Sequence, residues 1–102
     1  MRFSVLAIAA LESVRLLIME PDGELITARE TARATLTDSG QRWIVVNQAR
    51  MGEDMDQIIL HEMAHFEAWK RYGTEIEMHG PEFRKVCREF VTRRTSHFCK
   101  AD

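Results

Sequence analysis

The sequence is short of cysteine, of long apolar runs and of charge of one sign, and each shortage narrows what the chain does. Its only cysteines are Cys87 and Cys99. They form no CxxC pair and are too few for a zinc ribbon or a disulfide framework; two reduced thiols in a cytoplasmic protein are expected, with a single Cys87–Cys99 bridge as the alternative. No stretch approaches the ~20 apolar residues of a membrane span, so no membrane partner is expected. Lys and Arg number 14 against 16 Asp and Glu, a net charge of -2. The overall balance therefore makes no case for nucleic acid, and any such case must rest on local charge. Two prolines and five glycines leave room for regular structure. No internal repeat or low-complexity segment is present, and 102 residues suit a single domain, 1–102, with one modest core.

What is present divides into a few clear segments. Residues 1–11 carry some features of a signal peptide. The apolar pattern continues past Glu12 and Arg15 through Val14, Leu16, Leu17, Ile18 and Met19, however, and reads as a first helix over 3–19 that stays in the fold. Pro21-Asp22-Gly23 breaks it, and residues 24–34 read as a helical or irregular connection. Ala34-Thr35-Leu36 and Trp43-Ile44-Val45-Val46-Asn47 are strand-like, and the turn sequence Thr37-Asp38-Ser39-Gly40 between them predicts a β-hairpin. A second helix is expected from Met55 to Tyr72, with acidic residues near its positive end and Gly73 as its C-cap. Pro81 suits the first position of a third helix, where its missing N–H loses no partner. That helix carries Phe83, Val86, Cys87, Phe90 and Val91 as an amphipathic stripe. The fold class expected is α+β: three main helices beside a small antiparallel sheet or hairpin.

The chemistry gathers on the second helix, at His61-Glu62-Met63-Ala64-His65. Residues four apart on a helix share a face, so His61 and His65 can aim two imidazoles at one point, two corners of a tetrahedral zinc site. Glu62 sits about 100° round the helix, near enough to serve a metal-activated water without being a ligand. Zinc lowers the pKa of its water toward ~7, and a carboxylate takes the proton as the water attacks. On a helical wheel the two histidines and Glu62 share a half with Ile58, Ile59, Met63, Phe66 and Trp69, while Leu60, Ala64, Glu67, Ala68 and Arg71 fall opposite. The imidazoles thus point toward the core, where an unpartnered ring would be costly. The plainer alternative is two buried, hydrogen-bonded histidines and a surface glutamate.

A catalytic zinc needs a third protein ligand. A metzincin continuation would place glycine and histidine where Ala68 and Arg71 stand, so that arrangement fails. Glu82 or Glu89 would serve if the ligand came from the third helix. His79, in His79-Gly80-Pro81-Glu82-Phe83, is the stronger candidate, on a loop able to fold back over the second helix. His97 is a further option. Tyr72 and Arg84 are candidates to stabilise a developing oxyanion. Trp69 and Phe66 read as core beside the site, and Phe83 as the anchor of the His79 loop.

The strand Trp43–Asn47, the HExxH segment at His61–His65 and the His79-Gly80-Pro81-Glu82-Phe83 segment together resemble the SprT-like (Spartan-type) zinc metalloprotease domain. The likeness covers about residues 43–91. It implies that His61, His65 and His79 hold Zn2+, that Glu62 is the catalytic base, and that the chain hydrolyses peptide bonds in protein or peptide substrates. The exposed strand before the motif would then pair with an extended peptide. Members often carry a C-terminal zinc ribbon or other DNA-binding extension, and neither is present here, so action on DNA-associated proteins transfers only weakly. Arg84, Lys85, Arg88, Arg93, Arg94 and Lys100 outnumber Glu82, Glu89 and Asp102 from Pro81 onward, a patch able to meet phosphates or to be an ordinary solvated face. The rival readings are a non-catalytic zinc-stabilised domain binding DNA or protein, and a zinc amidase acting on small substrates.

Overall fold

The computed structural model describes residues 13–52, 54–90 and 99. Three strands precede two helices: β1 (Val14–Met19), β2 (Ala32–Leu36), β3 (Arg42–Asn47), α1 (Met55–Tyr72) and α2 (Pro81–Phe90), with one 3-10 turn, Gln48–Arg50, after β3. The architecture is α+β. It departs from the sequence reading at the start of the chain, where Val14–Met19 is a strand and not the end of a helix. Residues 3–12 of the expected first helix lie outside the described residues. A short apolar run such as Val14–Met19 fits a strand as well as a helix, and periodicity alone does not separate them. The pairing separates them: β1 lies parallel to β3, with Leu16 opposite Ile44 and Ile18 opposite Val46.

The sheet is therefore mixed, in the order β1-β3-β2, and not an antiparallel hairpin alone. The hairpin itself is present, with β2 antiparallel to β3 and Ala34 opposite Ile44. Its turn is closed by Gly40 N–H donating to the Thr37 carbonyl at 2.9 Å, and Gly40 takes φ 85°, the left-handed region that glycine enters without strain. Because β1 occupies its other side, β3 is the central strand. The strand immediately before the HExxH segment thus has no free edge; the edge on the α1 side of the hairpin belongs to β2.

Residues 20–31 bridge β1 and β2 without regular structure. Asp22 Oδ1 accepts from the N–H groups of Glu24 and Leu25 at 2.9 and 2.8 Å, which folds the chain so that Ile26 is fully buried. The Asn47 amide then donates to the Glu30 carbonyl at 3.0 Å, fixing the end of this bridge to β3. The entry into β2 is thereby set.

α1 has the expected limits, and Gly73 N–H closes it on the Trp69 carbonyl at 2.8 Å. It is buried on two sides. Ile59, Met63 and Phe66 pack on Val14, Ala34, Ile44 and Val46 of the sheet. Ala64 and Ala68 pack on Phe83, Val86 and Cys87 of α2. The wheel half expected to face away from the core is thus partly buried, because two small alanines let α2 approach closely. His61, Glu62 and His65 fall in the seam between the two packed faces. Among the described residues no helix is long and apolar enough to cross a membrane.

Cys87 and Cys99 are joined in a disulfide, with Cα atoms 5.6 Å apart, which corrects the expectation of reduced thiols. The return of Cys99 to the buried side of α2 brings the sulfurs together, and sequence spacing does not disclose that contact.

Candidate metal centre

One helical turn separates His61 from His65, and their ring centroids lie 5.1 Å apart. The loop between the helices carries His79 back over α1, its ring 5.2 Å from that of His61 and 4.9 Å from that of His65. One ligand atom from each of the three lies within 4.8 Å of the others. His61 Nε2 and His79 Nε2 are 3.3 Å apart. Two nitrogens on a tetrahedral zinc with Zn–N of ~2.0–2.1 Å would be separated by about 3.3 Å, so the spacing fits that ion.

The surroundings favour the ligand form of His65. Burial, and then the neighbouring His61 and His79, push the pKa of His65 down to about 3, which keeps the imidazole neutral. Its ring is held between two aromatic faces: Phe83 stacks at 4.1 Å and 17°, and Trp69 at 5.6 Å and 29°. Phe83 also touches the rings of His61 and His79 at 4.9 and 5.1 Å. One fully buried side chain of α2 therefore positions all three imidazoles. The sequence reading gave Phe83 the His79 loop alone.

Glu62 stands beside this cluster. Its Oε1 accepts the Ala34 N–H of β2 at 3.0 Å, and its Oε2 lies 3.9 Å from His61 Nε2. One oxygen is thus fixed by the sheet while the other faces the histidines. Burial pushes the carboxyl pKa up to about 8, against the opposing effect of the Ala34 hydrogen bond.

A cleft of about 500 Å³ opens over these groups. One wall is α1, with Ile58 and Trp69 flanking the site; His79 and the exposed Met78 stand at the rim. The other wall is the chain from Arg29 to Ala34, part of the segment expected to be a helical or irregular connection, of which Ala32–Ala34 instead belong to strand β2. Glu30 in this wall is engaged by Arg33, whose Nε donates to Glu30 Oε2 at 2.8 Å, and by the N–H of Thr27 at 3.0 Å. Arg33 beside it holds the Glu30 carboxyl down to about 2. The alternation of Thr31-Ala32-Arg33-Ala34-Thr35-Leu36 was a usable strand signal. That this strand is the one facing α1 depends on sheet order, which no local pattern carries.

The other candidates are not brought to the site. Glu89 pairs with Arg71 at 2.7 Å on the surface, and Glu82 is not in the ligand cluster. Tyr72 is exposed, and neither it nor Arg84 lines the cleft. His97, Arg93, Arg94 and Lys100 lie outside the described residues. Arg84, Lys85 and Arg88 are exposed on α2 and do not line the cleft.

Gly80 follows His79 for a steric reason. A Cβ at Gly80 would sit 2.9 Å from the Glu77 Cβ, too close to be accommodated without a shift. Gly80→Ala is therefore expected to displace the His79 loop and, for a metal ion held by the three histidines, to weaken its binding by about tenfold or more, an order borrowed from changes in the groups that orient metal ligands. Competition with a chromophoric chelator measures this, and unchanged affinity would contradict it.

No curated protein and no solved structure matches the chain. A family model described as SprT-like family matches residues 25–99, a span that contains β2, β3, both helices, Glu62 and all three clustered histidines. The chain belongs to the SprT-like family.

Proposed function

We propose that this protein is a zinc-dependent metallopeptidase in which His61, His65 and His79 hold the metal and Glu62 is the catalytic base. The observation that carries the reading is the placement of Glu62: one oxygen is tethered to the strand edge at Ala34, and the other is turned toward three converging imidazoles. A structural zinc site needs no carboxylate so placed and usually takes a fourth protein ligand, whereas three ligands converge here among the described residues.

Zinc bound there would supply Lewis acidity, polarising a scissile carbonyl and acidifying a water. Glu62 takes the proton of the attacking water and delivers it to the leaving amine. The tether to Ala34 holds the carboxyl in place for both transfers. Phe83 and Trp69 stack on the His65 ring and hold its orientation.

The cleft wall also suits an extended peptide. Ala34 N–H points away from β3 to reach Glu62, and side-to-side alternation along a strand turns the N–H groups of Ala32 and Leu36 the same way. Among the described residues no strand pairs with that edge, so these groups can meet a substrate main chain, which favours unstructured protein or peptide substrates over small amides.

The test is metal content and cleavage of an unfolded protein. Wild type is expected to hold one zinc per chain, and His79→Ala to bind it at least about a hundredfold more weakly, with cleavage lost in parallel. Full occupancy in His79→Ala would move the third ligand elsewhere, and absence of zinc-dependent cleavage in the wild type would end the peptidase reading.

A further inference from the structure

On the other side of Trp69 lies a second pocket of about 330 Å³. Leu36, Phe66 and Trp69 make its apolar floor, and Arg42, Lys70 and Thr74 surround it. Trp69 lines both pockets and so forms the wall between them. The two are joined along the same strand edge, since Leu36 lies two residues beyond Ala34, about 7 Å at strand rise. A peptide paired with β2 and positioned by Glu62 at Ala34 therefore places a side chain in this second pocket two or three residues from the scissile bond.

The charges along this path are one-sided. Of the acids lining the first pocket, Glu30 is committed to Arg33 and Glu62 to the Ala34 N–H. Among the described residues no acid lines the second pocket. Arg29, Arg42 and Lys70 make no ion pair among the described residues. The substrate path is thus basic on a chain whose net charge is -2. Two cations and three apolar side chains lining one pocket match a short acidic side chain flanked by apolar ones, and the hydrogen-bonding strand edge matches a peptide backbone better than a phosphodiester.

We infer that Arg42 and Lys70 form a specificity subsite that selects an acidic side chain two or three residues from the bond to be cut. The inference rests on the peptidase reading of the same cleft, and names a substrate class for it. Neither residue touches the reacting atoms.

The experiment uses the zinc-loaded full chain and short labelled peptides of Gly, Ala, Ser and Leu that carry a single Asp, Asn or Lys at successive positions. An Asp two or three residues from the cleaved bond should raise kcat/KM by about three- to tenfold over Asn at the same place, with Lys below Asn. The advantage should shrink as salt is raised. In Arg42→Gln/Lys70→Gln the Asp-to-Asn ratio should fall to about one, and in Lys70→Glu the Lys peptide should overtake the Asp peptide. Anisotropy measured on Glu62→Gln protein reads the same ratios from binding alone. Cleavage with no acid preference overturns the subsite and leaves the peptidase reading standing. Acid-dependent binding without cleavage by wild type does the reverse. A single-stranded oligonucleotide that binds more tightly than the Asp peptide, and loses that affinity in Arg42→Gln/Lys70→Gln, would reassign the pocket to nucleic acid and overturn the proposal.

Discussion

Glu62→Gln is expected to slow peptide hydrolysis by about 10³-fold and, at the same time, to make the metal-free protein more stable at neutral pH. Both effects come from one buried carboxyl. Its pKa rises from 4.5 to about 8 on folding, mainly because burial disfavours the charged form. Between those values the folded state binds more protons than the unfolded state, so stability falls as pH rises from 4.5 to 8 and then levels off. Glutamine keeps an oxygen for the Ala34 N–H but carries no charge, and it removes that loss. The gain at pH 7 is on the order of 3 kcal/mol as an upper bound, and it vanishes below about pH 4.5. Urea unfolding of the two proteins across this range reads the difference. A bound zinc favours the carboxylate, so saturating zinc should flatten the wild-type slope. Equal stability of wild type and Glu62→Gln at pH 8 without metal would contradict the account of a buried, strand-tethered carboxyl.

Phe83→Ala carries the second large effect. The ring is fully buried between α1 and α2 and touches all three histidine rings. Truncation should cost about 3–5 kcal/mol, the usual range for an aromatic core residue, and that is a large part of the stability of a domain this size. The same cavity frees the imidazoles to reorient, so zinc affinity should fall with stability. Phe83→Leu separates the two contributions: it restores most of the packing volume but not the flat face against His65. Its expected phenotype is a smaller stability loss with zinc binding still weakened. A Phe83→Ala protein within about 1 kcal/mol of wild type would show that α2 does not support the site in this way.

How far the site was legible in the sequence follows the range of the interactions involved. Local devices mark the end of α1 at Gly73 and the start of α2 at Pro81, and both stand where local chemistry implies. The β2–β3 hairpin is likewise announced by Thr37–Gly40 and the β-branched residues that follow. His61 and His65 are neighbours by helical geometry alone. His79 is indicated only by its setting before Pro81 and by family likeness, because a loop's return path is not a local property. Val14–Met19 was misread for the same reason: six apolar-rich residues become a strand through pairing with β3, nearly thirty residues on. The bond from Ala34 to Glu62 spans 28 residues and uses a backbone donor, so no side-chain pattern records it. The cleft wall from Arg29 to Ala34 and the disulfide from Cys87 to Cys99 belong to the same class of non-local contacts.

The most direct test of a three-histidine zinc peptidase is the cleavage of an unfolded protein by the metal-stripped chain titrated with zinc, followed by the mass of the fragments. Fragments are predicted to appear in proportion to zinc up to one equivalent and to be absent with Glu62→Gln at the same occupancy. Fragments that form equally without zinc, or equally with Glu62→Gln, would contradict it.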